Sequence, residues 1–405
     1  MKYPIGILLL ASVLSCKNGN VDQTETSTEN TANGHNPETK SRNTDIPPAF
    51  AGQTRAAGVT TSTPFDVQAI AQNLGKPWAI INFPNNRFLI TEKSGKAYII
   101  NSDGSSMKNV SGFPVVDDKG QGGLLDIALD PNFSANRTVY WTFSEPAGNG
   151  NHTAVAKGVL SADETTIQNP AVIFRATPTY DGDKHYGSRL VFDKDGHLYV
   201  SSGERSDMAT RPLAQDQQTY LGKLLKITTN GAPAPSNPQI SGWKPEIVST
   251  GHRNPQGIAI HPVTGELWLN EMGPQGGDEL NRIQPGKNYG WPTITYGEEY
   301  SGATIGDGIG QKDGLEQPVY FWDPVVSSSG MDFYTGNITE WKNNLMIACL
   351  SGKKIVRLVL ENNKVVGEEW IAGDQNERFR DLVSGADGNM YAVTDSGKMY
   401  KISKK

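Results

Sequence analysis

The chain has 405 residues, with 44 Gly, 24 Pro and only 8% aromatic residues. Lys and Arg number 37 against 43 Asp and Glu, a net charge of −6, so no basic face is implied and nucleic acid is not an expected partner. This length suits two or three average domains or one large all-β unit, and the glycine and proline content favours short strands joined by tight turns.

Residues 1–15 read as a signal peptide: Lys2 gives a positive start, and Ile5 to Leu14 is an apolar run too short to span a bilayer. Val13-Leu14-Ser15-Cys16 resembles a bacterial lipobox. That implies an exported chain in the cell envelope or periplasm, attached to a membrane only through lipid on Cys16; the alternative is an ordinary signal peptide with an incidental cysteine. Cys349, in the apolar run Leu345 to Leu350, is expected to be a buried free thiol. Residues 16–60 are rich in Asn, Thr, Ser, Glu and Gly, and are expected to be a flexible polar tether.

The folded domain is expected over 61–405. Within it, Asn85-Asn86, Asp195-Gly196, Thr264-Gly265 and Asp387-Gly388 each precede an aromatic or β-branched run, with weaker versions at Asn136 to Trp141 and Asn343 to Ile347. Gly or Asn supplies the positive φ of a hairpin turn, and the run that follows forms a buried strand. These six hairpins, spaced irregularly by roughly 45 to 80 residues, predict an all-β, six-bladed β-propeller with long functional loops. A β-sandwich pair or a solenoid is the alternative; no long helical periodicity favours an α/β fold.

Several polar constellations interrupt this pattern. Gly120-Gln121-Gly122-Gly123 runs into an apolar strand, and is either a loop approaching a ligand or a tight inter-blade turn. His185 precedes the strand Leu190 to Phe192, where a neutral imidazole could take a proton from a hydroxyl, although a lone histidine equally serves packing. Arg253, Asn254 and Gln256 place a planar cationic fork beside two amides. Arg378 and Arg380 alternate as on a strand, so both face one side; either an anion lies between them or they pair with Glu377 or Asp381. Gly273-Pro274 followed by Gly276-Gly277-Asp278-Glu279 combines exposed carbonyls with carboxylates, the oxygen set that Ca²⁺ prefers, or is a plain acidic turn. Trp322, Phe333 and Tyr334 are candidates for stacking on a sugar or for core packing.

From about residue 65 to 405 the chain resembles the glucose/sorbosone dehydrogenase family, the soluble quinoprotein sugar dehydrogenases that use pyrroloquinoline quinone (PQQ). The resemblance is carried by Leu74-Gly75-Lys76-Pro77-Trp78, the Gln121 loop, His185 to Leu190, Gly251 to Gly257, Glu271 to Glu279, Asn288 to Pro292 and Arg378 to Asp381. The absence of long inserts, with Lys184 before His185, is more similar to the aldose sugar dehydrogenase branch. The resemblance implies a six-bladed propeller in which His185 is the base at the sugar C1 hydroxyl, with Arg253 beside it in the catalytic set. By the same likeness Gln121, His185, Arg253, Asn254, Gln256, Arg378 and Arg380 hold PQQ, Gly273 and Pro274 offer carbonyls to a Ca²⁺, and Glu279 and Tyr289 match a second, structural Ca²⁺ site. One departure stands out. The family often carries a lysine near the cofactor carboxylates where this chain has Ser351, and Lys353 or Lys354 is left to replace it.

The expected activity is PQQ- and Ca²⁺-dependent oxidation of an aldose at C1 to its lactone, with electrons passed to an external acceptor. The rival readings are a Ca²⁺-dependent propeller lactonase or hydrolase and a non-catalytic carbohydrate-binding propeller.

Overall fold

The structure, a computed structural model, describes residues 34–405. The expected signal peptide, Cys16 and the first part of the expected tether lie outside the described residues.

The chain forms six antiparallel four-stranded sheets. After β1 (Phe65–Ala71), blade 1 contains β2 (Pro77–Phe83), β3 (Arg87–Glu92), β4 (Lys96–Asn101) and β5 (Lys108–Val110). Blade 2 contains β6 (Leu124–Leu129), β7 (Thr138–Ala147), β8 (Gly150–Leu160) and β9 (Ile167–Arg175). Blade 3 contains β10 (Gly187–Phe192), β11 (Leu198–Ser202), β12 (Lys223–Ile227) and β13 (Ile247–Thr250). Blade 4 contains β14 (Pro255–Ile260), β15 (Leu267–Glu271), β16 (Asp278–Arg282) and β17 (Tyr320–Trp322). Blade 5 contains β18 (Ser328–Phe333), β19 (Leu345–Cys349), β20 (Lys354–Glu361) and β21 (Lys364–Ile371). Blade 6 contains β22 (Phe379–Ser384), β23 (Met390–Thr394) and β24 (Met399–Lys404), and β1 pairs with β24 as its outer strand. The first strand of each blade packs against the first strands of both neighbours, so the sheets close into a ring. This is the six-bladed β-propeller expected from the hairpin pattern, and the outer strand from the N-terminal end ties the ring shut.

All six hairpins join the first and second strands of their blades. Positive φ falls at Asn85 and Asn86, Gly196, Gly265, Asn343 and Gly388 as the turn chemistry requires. In blade 2 it falls instead on Arg137, after the single-turn helix α1 (Phe133–Asn136). There the guanidinium pins the turn by donating to the carbonyls of Leu160 and Ser161 at 2.8 and 2.7 Å. Cys349 is a buried free thiol.

Every first strand also carries a register shift near its start: Pro77/Ile80, Leu124/Ile127, Gly187/Leu190, Pro255/Gly257, Ser328/Met331 and Phe379/Asp381. Such bulges re-aim side chains. Here they free Trp78, Leu125, Arg189, Gln256, Ser329 and Arg380 from plain alternation at the same end of all six blades.

The flexible-tether expectation is corrected for residues 34–60, which lie along blades 4 and 5. Ala57 to Val59 add a short parallel rung beside Glu368 at the outer edge of β21. The amides of Asn43 and Thr44 donate to the buried Asp323 carboxylate at 2.8 and 3.1 Å, and Arg42 forms an ion pair with it. Gln53 is fully buried, donating to the Pro318 carbonyl and accepting from the Tyr296 hydroxyl. The segment is held by hydrogen bonds to buried carboxylates and carbonyls rather than by apolar burial, so its polar composition misled. Removing residues 34–60 is therefore expected to lower the melting temperature by about 5–10 °C relative to a chain that retains them, since it withdraws partners from Asp323, Glu368 and Tyr320. Calorimetry of the two forms checks this; equal melting temperatures would make the segment a passive tether after all.

Candidate active site

The bulged ends of the first strands open onto a cavity of about 460 Å³ lined by Lys76, Trp78, Lys93, Gln121, Asn254, Gln256, Arg378 and Arg380, among others. Five residues expected from the sequence, Gln121, Asn254, Gln256, Arg378 and Arg380, thus share one wall system.

His185 lies two residues before β10, at the strand mouth, beside the cavity-lining Tyr186 and Gly187. Its backbone N–H donates to Gln121 Oε1 at 2.8 Å, and the residue is 6% exposed. Nδ1 stands 2.7 Å from Glu204 Oε1, a carboxylate that accepts, so Nδ1 carries the hydrogen and Nε2 keeps the lone pair. Burial pushes the His185 pKa down to about 4, helped by the nearby Arg253 cation and opposed by Glu204. The ring is therefore neutral at ordinary pH, a base held in one tautomer. Glu204 was not expected from the sequence. The signal was Gly203-Glu204 directly after β11, where a Cβ on Gly203 would lie 2.2 Å from the His185 carbonyl, so only glycine lets the two segments meet.

Asn254 and Gln256 brace the start of β10. Asn254 Oδ1 accepts from the Gly187 N–H at 3.2 Å, and Gln256 Nε2 donates to the Gly187 carbonyl at 3.0 Å. Arg253 Nη1 donates to the carbonyls of Met272 and Gly273 at 2.9 and 2.7 Å, and its Nε, buried, has no hydrogen-bond partner. An unpartnered buried N–H of this kind fits an acceptor supplied by a ligand.

The glycines of the Gln121 loop serve packing: a Cβ on Gly122 would lie 2.3 Å from the Asp117 carbonyl, and one on Gly123 2.4 Å from that of Lys93. The loop is an inter-blade turn that contributes Gly120 and the Gln121 amide to the cavity.

Arg378 and Arg380 do share a face, but the anion between them belongs to the chain. Asp395 accepts from both Nε atoms at 2.9 Å, while Glu377 pairs with Lys398 and Asp381 with Arg189. The expectation of Glu377 or Asp381 as partner is thereby corrected, because the β23–β24 turn folds Asp395 over the start of β22. Lys353 and Lys354 are likewise absent from the cavity lining: Lys353 Nζ bonds Asn376 Oδ1, Lys354 Nζ lies 2.8 Å from the centre of the Trp370 ring, and Ser351 bonds Ser327. The cations present are Lys76, Lys93, Arg378 and Arg380 against Asp395, four against one, a formal +3. A planar ligand with several carboxylates fits that balance.

The two expected cation sites fit unequally. Gly273 and Pro274 are buried, with the Gly273 carbonyl already accepting from Arg253 and its N–H donating to Asp278 at 2.8 Å. A carbonyl oxygen has a second lone pair, so a cation ligand remains available there. Glu279 is a better case: burial and the adjacent Glu271 carboxylate raise its pKa well above the usual carboxylate range, and the Asn281 Oδ1 nearby is buried without a partner. A buried acid, a half-buried one beside it and an unpaired amide oxygen are what a cation would relieve. The Tyr289 hydroxyl, in contrast, donates to the Arg282 carbonyl and accepts from Gln284 N–H, which leaves only its backbone oxygen for a metal.

Trp322, Phe333 and Tyr334 are buried in the inter-blade core, so the stacking role for them is withdrawn. The exposed aromatic on the cavity is Tyr300, at the tip of a turn closed by Glu299 and Ala303.

Comparison with known proteins places these observations. A family model described as Glucose / Sorbosone dehydrogenase matches residues 74–401. Aldose sugar dehydrogenase YliI of Escherichia coli (strain K12) is 39% identical over 348 residues, covering 84% of this chain and 93% of the relative. The crystal structure of the soluble aldose sugar dehydrogenase of Escherichia coli in its apo-form superposes with a TM-score of 0.80 at 38% identity, covering 84% of this chain and 100% of that one. The PQQ-bound aldose sugar dehydrogenase of Streptomyces coelicolor gives a TM-score of 0.71 at 25% identity, covering 85% of this chain and 100% of that one.

Proposed function

The chain belongs to the glucose/sorbosone dehydrogenase family, and we propose that it is a PQQ- and Ca²⁺-dependent aldose dehydrogenase that oxidises the sugar at C1 to the lactone and hands the electrons to an external acceptor. The observation that carries this is the neutral His185 imidazole, oriented by Glu204, beside a cavity of surplus positive charge. PQQ, when bound, accepts the hydride that leaves C1 and so supplies the two-electron chemistry no side chain can perform. The residues of this chain do the rest. His185 Nε2 takes the proton of the C1 hydroxyl, and Glu204 balances the charge that forms on the ring. Arg253 presents positive charge beside His185. Gln121, Asn254, Gln256, Arg378 and Arg380 would hold the cofactor and exclude water from its faces. Gly273 and Pro274 would offer oxygens to the Ca²⁺ that polarises the cofactor, and Glu279 with the Tyr289 backbone would hold the structural ion.

The test uses protein retaining residues 34–405, loaded with PQQ and Ca²⁺ and given a panel of aldoses with a dye acceptor. Dye reduction that depends on both sugar and PQQ is expected. Acid release from a lactone without quinone would instead support the hydrolase reading, and sugar binding without any dye reduction the binding-propeller reading.

Export and anchoring through Cys16 remain part of this proposal, resting on the lipobox-like Val13 to Cys16. Fatty-acid labelling that persists in Cys16→Ala would refute the anchor.

A further inference from the structure

We infer that Lys93, with Lys76 beside it, forms a second carboxylate-binding arm of the cavity, on the blade next to the Arg378–Arg380 pair; this rests on the PQQ reading above. The two arginines already share Asp395, which spends its oxygens on Arg378 Nε, Arg380 Nε and Arg380 Nη2 at 2.9, 2.9 and 3.3 Å. Among the described residues neither lysine makes an ion pair, and the Lys93 ammonium has only the Gly120 carbonyl as a hydrogen-bond acceptor. Its pKa is lowered by burial, and then by the Arg380 and Lys76 charges, against a smaller opposing pull from Asp118 and Asp395, so the cations around Lys93 outweigh the anions.

The backbone makes this arm rigid. Lys93 follows β3 directly, and its N–H donates to the Lys76 carbonyl at 3.1 Å while its own carbonyl accepts from Leu124 N–H at 3.0 Å. The Lys76 N–H donates in turn to Glu92 at 3.1 Å. Both ammonium groups are thus presented from locked strand ends of blade 1, next to the arginines of the neighbouring blade 6. A ligand with carboxylates at more than one edge would satisfy both arms at once, which a monocarboxylate could not.

PQQ titrated into Ca²⁺-loaded protein of residues 34–405, followed by quenching of tryptophan fluorescence, tests this directly. Lys93→Met is expected to weaken PQQ binding by about 10- to 100-fold, and the Lys76→Met/Lys93→Met double variant by more, with a shallower salt dependence than the parent. Lys93→Arg should restore most of the affinity, and Lys353→Met and Lys354→Met should shift it by less than about twofold. Unchanged affinity in Lys93→Met, with parent-like melting, would overturn the inference while leaving the function intact. Equal losses in Lys353→Met or Lys354→Met would also overturn it. Failure of the parent protein to bind PQQ would remove the quinoprotein reading and this inference with it.

Discussion

Replacing His185 with alanine is expected to lower turnover of the PQQ-loaded protein by about 10²- to 10⁴-fold, the span of a positioned general base. The pH profile gives the sharper test. Burial holds the His185 pKa at about 4, well below the ordinary imidazole value, so the active neutral form persists down to that pH. Activity should be level from neutrality to about pH 5 and fall about tenfold per unit once pH drops below about 4. In Glu204→Gln the carboxylate that favours the charged ring is gone, so the acid limb should move lower still while the plateau falls, because a weaker base is left. The same shift bears on stability. The unfolded ring protonates first, so stability is retained above the ordinary imidazole value of about 6.5 and declines as pH falls from there to about 4. An acid limb between pH 6 and 7, or full turnover in His185→Ala, would show that another group is the base.

The hairpin turns were legible because each depends on residues that tolerate positive φ, and five of the six blades place Asn or Gly there. Blade 2 escaped the rule because Arg137 is held in that conformation by tertiary bonds, which no local pattern records. Gln121, Asn254, Gln256, Arg378 and Arg380 were legible as polar residues at points where core packing does not ask for them. What the sequence hid are partners brought in from the next strand of the same blade or from a neighbouring blade. Glu204 reaches His185 from the end of β11, and Asp395 reaches the arginines from the β23–β24 turn. Lys76 and Lys93 meet the arginines only because blade 1 and blade 6 are neighbours in a closed ring. The bulges matter here too: a residue freed from alternation cannot be assigned a face by counting in twos.

Arg189 is the clearest instance, and substituting it is expected to have the largest effect on stability. It belongs to blade 3, yet its guanidinium reaches blades 1, 2, 4 and 6. Nη1 pairs with Asp381 at 3.0 Å and Asp126 at 3.4 Å, Nε donates to the Gln256 carbonyl at 2.6 Å, and the charge lies 4.1 Å from the centre of the Trp78 ring. Trp78, Gln256 and Arg380 line the cavity, so this buried cation holds together its walls. Arg189→Met would leave Asp126 and Asp381 buried together without their counter-charge, a loss of about 3–5 kcal/mol and a melting temperature lower by on the order of 10 °C. Burial already raises both acids, Asp126 to about 6. Without Arg189 they rise further, so the folded state binds protons that the unfolded state does not. Stability of the variant should then fall as pH rises, making its deficit larger at pH 8 than at pH 5. Adding Asp126→Asn and Asp381→Asn should recover part of the loss, since the penalty lies in the stranded charges rather than in the missing guanidinium. Melting curves at the two pH values decide it: a deficit that is small, or that does not grow with pH, would mean that the packing of the first strands, and not this ion triad, holds the floor of the cavity.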